Sequence, residues 1–387
     1  MPDGGEAIGV RLVGGIHDVE PGLWDACAGG DDPFVSHAFL AALEDSGSVG
    51  DDSGWLPRHL VAEDPAGTVL GVVPLYLKGH SFGEYVFDHA WADAWERAGG
   101  RYYPKLLSAV PFAPVTGPRL LAAPGPDREG RQRLLAAGLV EVARQTGVSS
   151  LHVNFPVAAE AALMERAGCL LRTNMQFHWE NRGYGSFDDF QAALNARRRK
   201  AVRKERREVA ASGVRLETLT GAALTDDHMD AFFGHYIATS EGKWGYPYMT
   251  RDFFRRLGRT LADRVVLVMA WHDGEAVASA LNLVGGGVLY GRNWGCLGDW
   301  KFLHFEACYY QAIEYAIDNG LQRVEAGAQG PHKIRRGYLP VTTWSAHWIA
   351  DPSFRPAVAD FLERERPAIA AETRALAEES PYRRDGE

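Results

Sequence analysis

Apolar and polar residues alternate along this chain in blocks whose period changes from strand-like to helix-like. Leu60-Val-Ala-Glu63 and Val69-Leu-Gly-Val-Val-Pro-Leu-Tyr-Leu77 are apolar runs of strand length, joined by the turn-forming Asp64-Pro-Ala-Gly67. From Gln132 to Gln145 the apolar positions Leu134, Leu135, Leu139, Val142 and Ala143 trace a helix face, and Gly147 follows as a stop. Ser150–Phe155 predicts a short strand ending at Pro156. The second half repeats this order. Val265–Trp271, Ala276–Val284 and Val288–Trp294 predict strands, Phe302–Asn319 a long helix stopped by Gly320, and Arg323–Gly327 another strand. Phe187–Gly213 and Phe354–Glu379 predict polar helices, and Tyr382–Glu387 a frayed end.

The repetition extends to residues. Glu141-Val-Ala-Arg-Gln-Thr-Gly147 matches Glu314-Tyr-Ala-Ile-Asp-Asn-Gly320 at an offset of 173, and Gly67 with its strand matches Gly274 with its strand at an offset of 207. The first copy therefore carries 34 more residues between these landmarks (207 − 173), placed in the aromatic- and proline-rich stretch 79–121. A tandem duplication follows, each copy a strand hairpin, a helix and a further strand, which is a mixed α/β or α+β module. The expected division is 1–183, 184–350 and a final helical segment 351–387.

Composition narrows the class. In 387 residues, 46% hydrophobic and 24% charged describe an ordinary globular chain, and no apolar run approaches the length of a membrane span. Met1–Glu6 has neither a basic nor an apolar leader pattern. Cys27, Cys169, Cys296 and Cys308 form no CxxC pair, so a reducing cytoplasm is the expected compartment. The formal charge of −9 excludes a generally basic surface but leaves room for a local basic patch. Phosphate-loop, dinucleotide-fingerprint, HExxH, zinc-cluster and GxSxG patterns are all missing, so neither a metal nor a resident cofactor is expected.

Four segments concentrate chemistry. Glu325-Ala-Gly-Ala-Gln-Gly-Pro-His-Lys-Ile-Arg-Arg-Gly-Tyr338 follows a strand. Its glycines permit close approach of backbone to a ligand, with Glu325 and His332 as bases and Lys333, Arg335 and Arg336 as anion clamps, although a charged surface loop would read the same. Tyr290-Gly-Arg-Asn-Trp-Gly-Cys-Leu-Gly298 precedes the helix carrying His304 and Glu306. Arg292 and Trp294 suit substrate contact, and backbone N–H groups near Gly295 suit an oxyanion. His80-Ser-Phe-Gly-Glu84-Tyr-Val-Phe-Asp88, Tyr103-Pro-Lys105 and Pro114–Arg119 read as a binding loop or a packed aromatic subdomain. Arg197-Arg198-Arg199-Lys200, with Arg203 behind them, make a basic helix that suits phosphate contact or simple solvation.

His80–Asp88, Tyr103–Lys105, Pro114–Arg119, Gln176-Phe-His178-Trp179-Glu-Asn181, Leu303–Glu306, Glu325–Gly330 and His332-Lys333 with Arg336–Tyr338 resemble the FemAB-like group of the GNAT acyltransferase superfamily, a peptidoglycan biosynthesis and recognition type, over nearly the whole chain. The resemblance implies tandem GNAT-like domains, each a mixed, mostly antiparallel sheet flanked by helices, with a cleft between them and the last helix returning to the first domain. It implies an N-acyltransferase that moves an aminoacyl group from aminoacyl-tRNA to an amine of a small molecule or peptide. Acyl-CoA is the alternative donor, with Arg292–Leu297 as an imperfect pyrophosphate loop, and a non-catalytic peptide- or peptidoglycan-recognition module is the other alternative. The expected catalytic set is Glu325, His304, Lys333, Glu306 and His332. The expected substrate contacts are His80, Glu84, Asp88, Tyr103, Lys105, Arg119, His178, Trp179, Arg292, Trp294, Gln329, Arg336 and Tyr338, with Arg198, Arg199, Lys200 and Arg203 on tRNA phosphates.

Overall fold

The computed structural model describes residues 8–243, 247–327 and 330–383. The chain divides into two units, Met1–Asn174 with Thr343–Ile369, and Met175–Thr342 with Ala370–Glu387. The expected break at the glycine-rich 183–185 is not where the units part. The division runs through two long strands, Leu170–Glu180 and Leu339–Ile349, and one long helix, Phe354–Glu378. A sequence reading looks for boundaries in loops, and these lie inside regular elements.

In the first unit, the strands Gly9–Val13, His59–Glu63, Val69–Val73 and Leu121–Ala122 form one antiparallel sheet in that order. The expected long strand Val69–Leu77 is broken at Pro74, which has no N–H for a ladder, and its second piece, Tyr76–Lys78, joins a different sheet. There it pairs with Lys105–Ser108, which runs parallel to Ser150–Asn154. The helix Arg128–Thr146 buries Leu135, Ala136, Leu139, Val140 and Ala143 against Leu60, Val73, Leu106 and Leu151. It ends where Gly147 takes φ 65°, a left-handed turn that a side chain would strain. The early part of the helix Phe354–Glu378 belongs to this unit, with Phe354, Val358 and Leu362 packed on Trp91 and Tyr102.

The second unit orders its strands Arg215–Leu219, Val265–His272, Glu275–Gly285, Val288–Cys296, Arg323–Glu325 and the later part of Leu170–Glu180. The first four are antiparallel neighbours, and Arg323–Glu325 runs parallel to Val288–Cys296. Val265–Ala270 are all buried, which explains their unbroken apolar run. The predicted helix 302–319 is not uniform. Leu303–Phe305 and Gln311–Asp318 are α-helical, and a π-helical turn, Glu306–Tyr310, lies between them. Tyr382 is not frayed: its hydroxyl donates to the Gly337 carbonyl at 2.8 Å and its ring packs on Phe190. Among the described residues no helix is long and apolar enough to cross a membrane.

The surplus stretch of the first unit holds a buried ionic cluster. Lys105 Nζ donates to Glu84 Oε2 (2.8 Å), Asp88 Oδ2 (2.5 Å) and Ser81 Oγ (2.7 Å), and Tyr102 donates to Asp88 (2.7 Å). Lys78 lies 4.0 Å from Glu84 and 3.8 Å from the centre of the Trp55 ring. Burial raises the Glu84 carboxyl to about 7, against the pull of Lys105, and burial lowers the Lys78 ammonium to about 7. Burial opposes the Asp88 charge too, yet Lys105 and His152 hold its carboxyl well below the usual range. A buried pair is costly to break from one side, since the survivor keeps an uncompensated charge. Lys105→Ala is therefore expected to lower stability in urea denaturation by about 3–5 kcal/mol. The triple change Lys105→Met, Glu84→Gln, Asp88→Asn should recover much of that loss. A loss below about 1 kcal/mol for Lys105→Ala would contradict this account.

Candidate active site

The site of the second unit forms where two strands part. Val288–Cys296 pairs with Arg323–Glu325 through three residues, Val288↔Arg323, Leu289↔Val324 and Tyr290↔Glu325. On its other side a bulge interrupts the pairing. Leu281 faces Asn293 and Asn282 faces Gly291, so Arg292 is the extra residue. Bulges re-aim side chains and bend the strand. Gly291 sits at the parting point, where a Cβ would lie 3.3 Å from the Glu325 carbonyl oxygen.

A cavity of about 260 Å3 occupies the gap. The strand contributes Arg292 and Trp294 to its wall, and the helical segment contributes His304, Cys308 and Tyr309. His304 and Tyr309 are five residues apart, too far round an α-helix to face together. The π turn brings them into edge contact, ring centroids 5.4 Å apart. The 3-10 turn Pro331–Arg336 supplies His332 and Lys333.

Lys333 is buried and donates to the Ala326 carbonyl at 2.5 Å and the Gly327 carbonyl at 3.2 Å. Burial lowers its ammonium to about 8, with Arg292 adding to the effect. An ammonium has three N–H donors, so one remains beyond these two bonds. His332 Nε2 lies 3.0 Å from the Tyr309 hydroxyl. Burial, then Arg336 and Lys333, hold this imidazole below its ordinary range, so it is neutral at pH 7. Burial raises the Tyr309 phenol. The cavity thus combines one tempered cation, a neutral imidazole bonded to a phenol, and a second imidazole. Such a set can steady a developing oxyanion and pass a proton.

Sequence comparison places this arrangement. The FemAB-like family model, described as peptidoglycan biosynthesis/recognition, matches residues 15–384. The chain belongs to the FemAB-like family. No match was found among curated protein sequences. Among solved structures, FemX aligns with a TM-score of 0.56 at 11% identity, covering 87% of this chain and 98% of FemX. L-PGS from Bacillus licheniformis aligns at 0.51 with 9% identity, over 86% and 98%. A tandem GNAT protein from the clavulanic acid biosynthesis pathway aligns at 0.47 with 16% identity, over 89% and 99%. The mixed, mostly antiparallel sheets expected of tandem GNAT-like units are present in both units of this FemAB-like chain.

The family chain distributes its other expected site residues as follows. Glu325 pairs with Arg323 (Nε to Oε1, 3.1 Å), lies 3.7 Å from His178, and stands beside the cavity wall rather than in it. Burial lowers the His178 imidazole to about 3. Glu306 turns away to Arg206 (3.1 Å) and Gln311 (2.9 Å). Arg336 is committed to Glu205 through two nitrogens, to the His332 carbonyl, and to the face of Phe305. It therefore shapes the turn that carries Lys333. Tyr338 is fully buried and donates to the Tyr309 carbonyl, and Trp179 is fully buried against Phe190. Gly295 lies inside its strand, where a Cβ would strike the backbone of His235, so its smallness serves packing. Gln329 lies outside the described residues.

The first unit gathers Glu84, Asp88, Lys105, Tyr103 and His80 around its ionic cluster. Tyr103 contacts Ser81 at 2.9 Å, and His80 contacts the Ser53 carbonyl at 3.0 Å. Arg119 is fully buried and donates to the carbonyls of Asn154 (3.1 Å), Pro118 (2.9 Å) and Val115 (2.6 Å). It binds its own backbone. Tyr309 and Cys308 are wall residues that helical periodicity alone could not find, because the π turn is silent in a 3.6-residue pattern. The geometry predicts that Lys333→Met raises the His332 pKa, followed by NMR titration, by removing a neighbouring cation. The value should stay below 6.5, because burial and Arg336 persist. An unchanged His332 titration would separate the two groups.

Proposed function

We propose that this FemAB-like chain is an N-acyltransferase that forms an amide, taking an aminoacyl group from aminoacyl-tRNA and passing it to an amine of a small molecule or peptide. The observation that carries the reading is the cavity at the strand divergence, with the Lys333 ammonium and the His332–Tyr309 pair in one wall. The acceptor must attack as a neutral amine, and its proton must end on the departing ribose oxygen as the ester C–O bond breaks. Neutral His332, bonded to Tyr309, is suited to that transfer, with His304 as the second imidazole. The third N–H of Lys333 is suited to the oxyanion of the tetrahedral intermediate.

The surface beside the cavity favours a polyanionic donor. Arg335 is exposed, two residues from Lys333 on the same 3-10 turn. Burial lowers the Arg198 guanidinium, and Arg335 and Arg197 lower it further, so these like charges share one neighbourhood. Arg197, Lys200 and Arg207 have no ion-pair partner among the described residues, whereas Arg199 and Arg203 bond to the Ala192 carbonyl and Gln191. Phosphates would relieve this crowding. In the expected acyl-CoA pyrophosphate segment Arg292–Leu297, Asn293–Cys296 are paired strand and Arg292 is the bulge residue, which counts against that alternative.

Two measurements test the reading. Lys333→Ala is expected to lower aminoacyl transfer about 10²–10³-fold with donor binding nearly unchanged. In the wild type the rate should fall as pH rises above about 8, because Lys333 loses its charge there, and Lys333→Arg should flatten that limb. Full activity in Lys333→Ala would remove the assigned role. Titration with mixed aminoacyl-tRNA at two salt concentrations should show salt-sensitive binding. Each of Arg197→Ala, Arg198→Ala and Arg335→Ala should reduce the slope of log K against log salt by about one where it meets a phosphate. Binding of acetyl-CoA without tRNA would transfer the chain to acyl-CoA chemistry.

A further inference from the structure

The first unit contains a separate cavity of about 430 Å3, within the size range of small-molecule sites. It borders the scaffold of the buried Lys105 charges, since Tyr102, which donates to Asp88, also lines it. Tyr103 forms part of its wall while its hydroxyl contacts Ser81, which in turn receives a bond from Lys105. One apolar wall is a stacked pair, Trp95 and Phe354, with centroids 4.7 Å apart and planes 26° apart. Gly100 makes the place of the indole, since a Cβ there would overlap the Trp95 ring.

Two opposite charges also line the cavity. Arg101 is exposed and has no ion-pair or hydrogen-bond partner among the described residues. Asp351 uses Oδ1 to cap the helix Phe354–Glu378, receiving the Ser353 N–H at 2.8 Å, the Ser353 hydroxyl at 2.5 Å and the Phe354 N–H at 3.1 Å. These bonds, the Ser353 hydroxyl first, hold its carboxyl below the usual range, so it is an anion at neutral pH. Its Oδ2 takes no bond among the described residues. Arg101 and Asp351 do not pair with each other, although both face the same space.

We propose that this cavity binds a free α-amino acid with an aromatic or large apolar side chain. The carboxylate meets Arg101, the ammonium meets Asp351, and the side chain lies on Trp95, Tyr103 and Phe354. A ligand with a single charge would leave one of the two groups unanswered, and a ligand without a ring or branched chain would leave the stacked wall wet. The site is independent of Lys333 and of the acyl-transfer reading.

The test is titration of the full chain with L-phenylalanine by calorimetry, beside phenylacetate and phenethylamine, which each carry one of its two charges. Saturable binding of L-phenylalanine is expected, with each single-charge analogue weaker by about tenfold or more. Arg101→Ala, at an exposed position, should weaken L-phenylalanine and phenylacetate about tenfold and leave phenethylamine unchanged. Asp351→Asn keeps the capping oxygen and should do the reverse. Gly100→Ala should weaken all three by displacing the indole. No saturable binding, or binding indifferent to both Arg101→Ala and Asp351→Asn, overturns the proposal. Binding lost in Lys333→Ala but retained in Arg101→Ala would place the amino acid in the other cavity and overturn it equally.

Discussion

Three residues of parallel pairing decide where chemistry is available in the second unit. Beyond Tyr290 and Glu325 the strands no longer satisfy each other, and carbonyls that a sheet would have bonded are left to find donors. Lys333 answers that need at Ala326, and at Gly327 it joins the Phe177 N–H, which donates to the same carbonyl at 3.2 Å. Its burial and its tempered charge are thus consequences of strand divergence, not separate inventions. The bulge at Arg292 and the bare backbone of Gly291 keep the opening from closing. Arg336, Glu205 and Phe305 then fix the turn on which Lys333 stands.

Much of this was legible beforehand where one interaction dominates a stretch of chain. The helix Arg128–Thr146 and its glycine stop, the hairpin around 64–67 and the strands from 265 to 296 follow from apolar period and turn residues. So does the recurrence of the same order in the two halves. Lys333, His332, His304, Arg292 and Trp294 stand out in the sequence through densely mixed charges and glycines beside strand ends, and all five line one cavity. Other residues were misjudged in a consistent way. Glu84, Asp88, Lys105, Arg119, Arg336 and Tyr338 are polar, but their partners lie in the fold itself. One sequence cannot tell a charge offered to a ligand from a charge spent on a distant strand. The partners of Arg336 and Arg206 are 131 and 100 residues away.

The two units solve the same geometric problem differently. In the first, the parallel pair Lys105–Ser108 and Ser150–Asn154 ends at Ser108 and Val153, and the next carbonyl, Asn154, is taken by Arg119. In the second, the pair ends at Tyr290 and Glu325, and the next carbonyl, Ala326, is taken by Lys333. A basic side chain caps the parting point in both. Arg119 reaches it from a 109–119 loop that folds over the strand ends, with Gly117 bonded to Phe155 at 3.1 Å. The guanidinium is fully buried beneath its loop, whereas the lysine lines a cavity. The surplus residues of the first copy therefore seal in one unit what the other keeps open.

The π-helical turn Glu306–Tyr310 has a consequence for how this chain can change over generations. A π turn is one residue more than an α-helix needs, so it behaves as an insertion preserved inside a regular element. Were that residue wound as ordinary α-helix instead, everything on one side would turn by about 100° relative to the other. His304 and Tyr309 would then cease to face the same space, and the apolar stripe around Ile313 and Ile317 would leave its partners. Losing one of the residues 305–308 would leave the pair four apart on an ordinary helix, where they still share a face, so the turn absorbs an insertion without disturbing either the cavity or the core. Descendants of an ancestral duplication could gain or lose that residue without rebuilding either one.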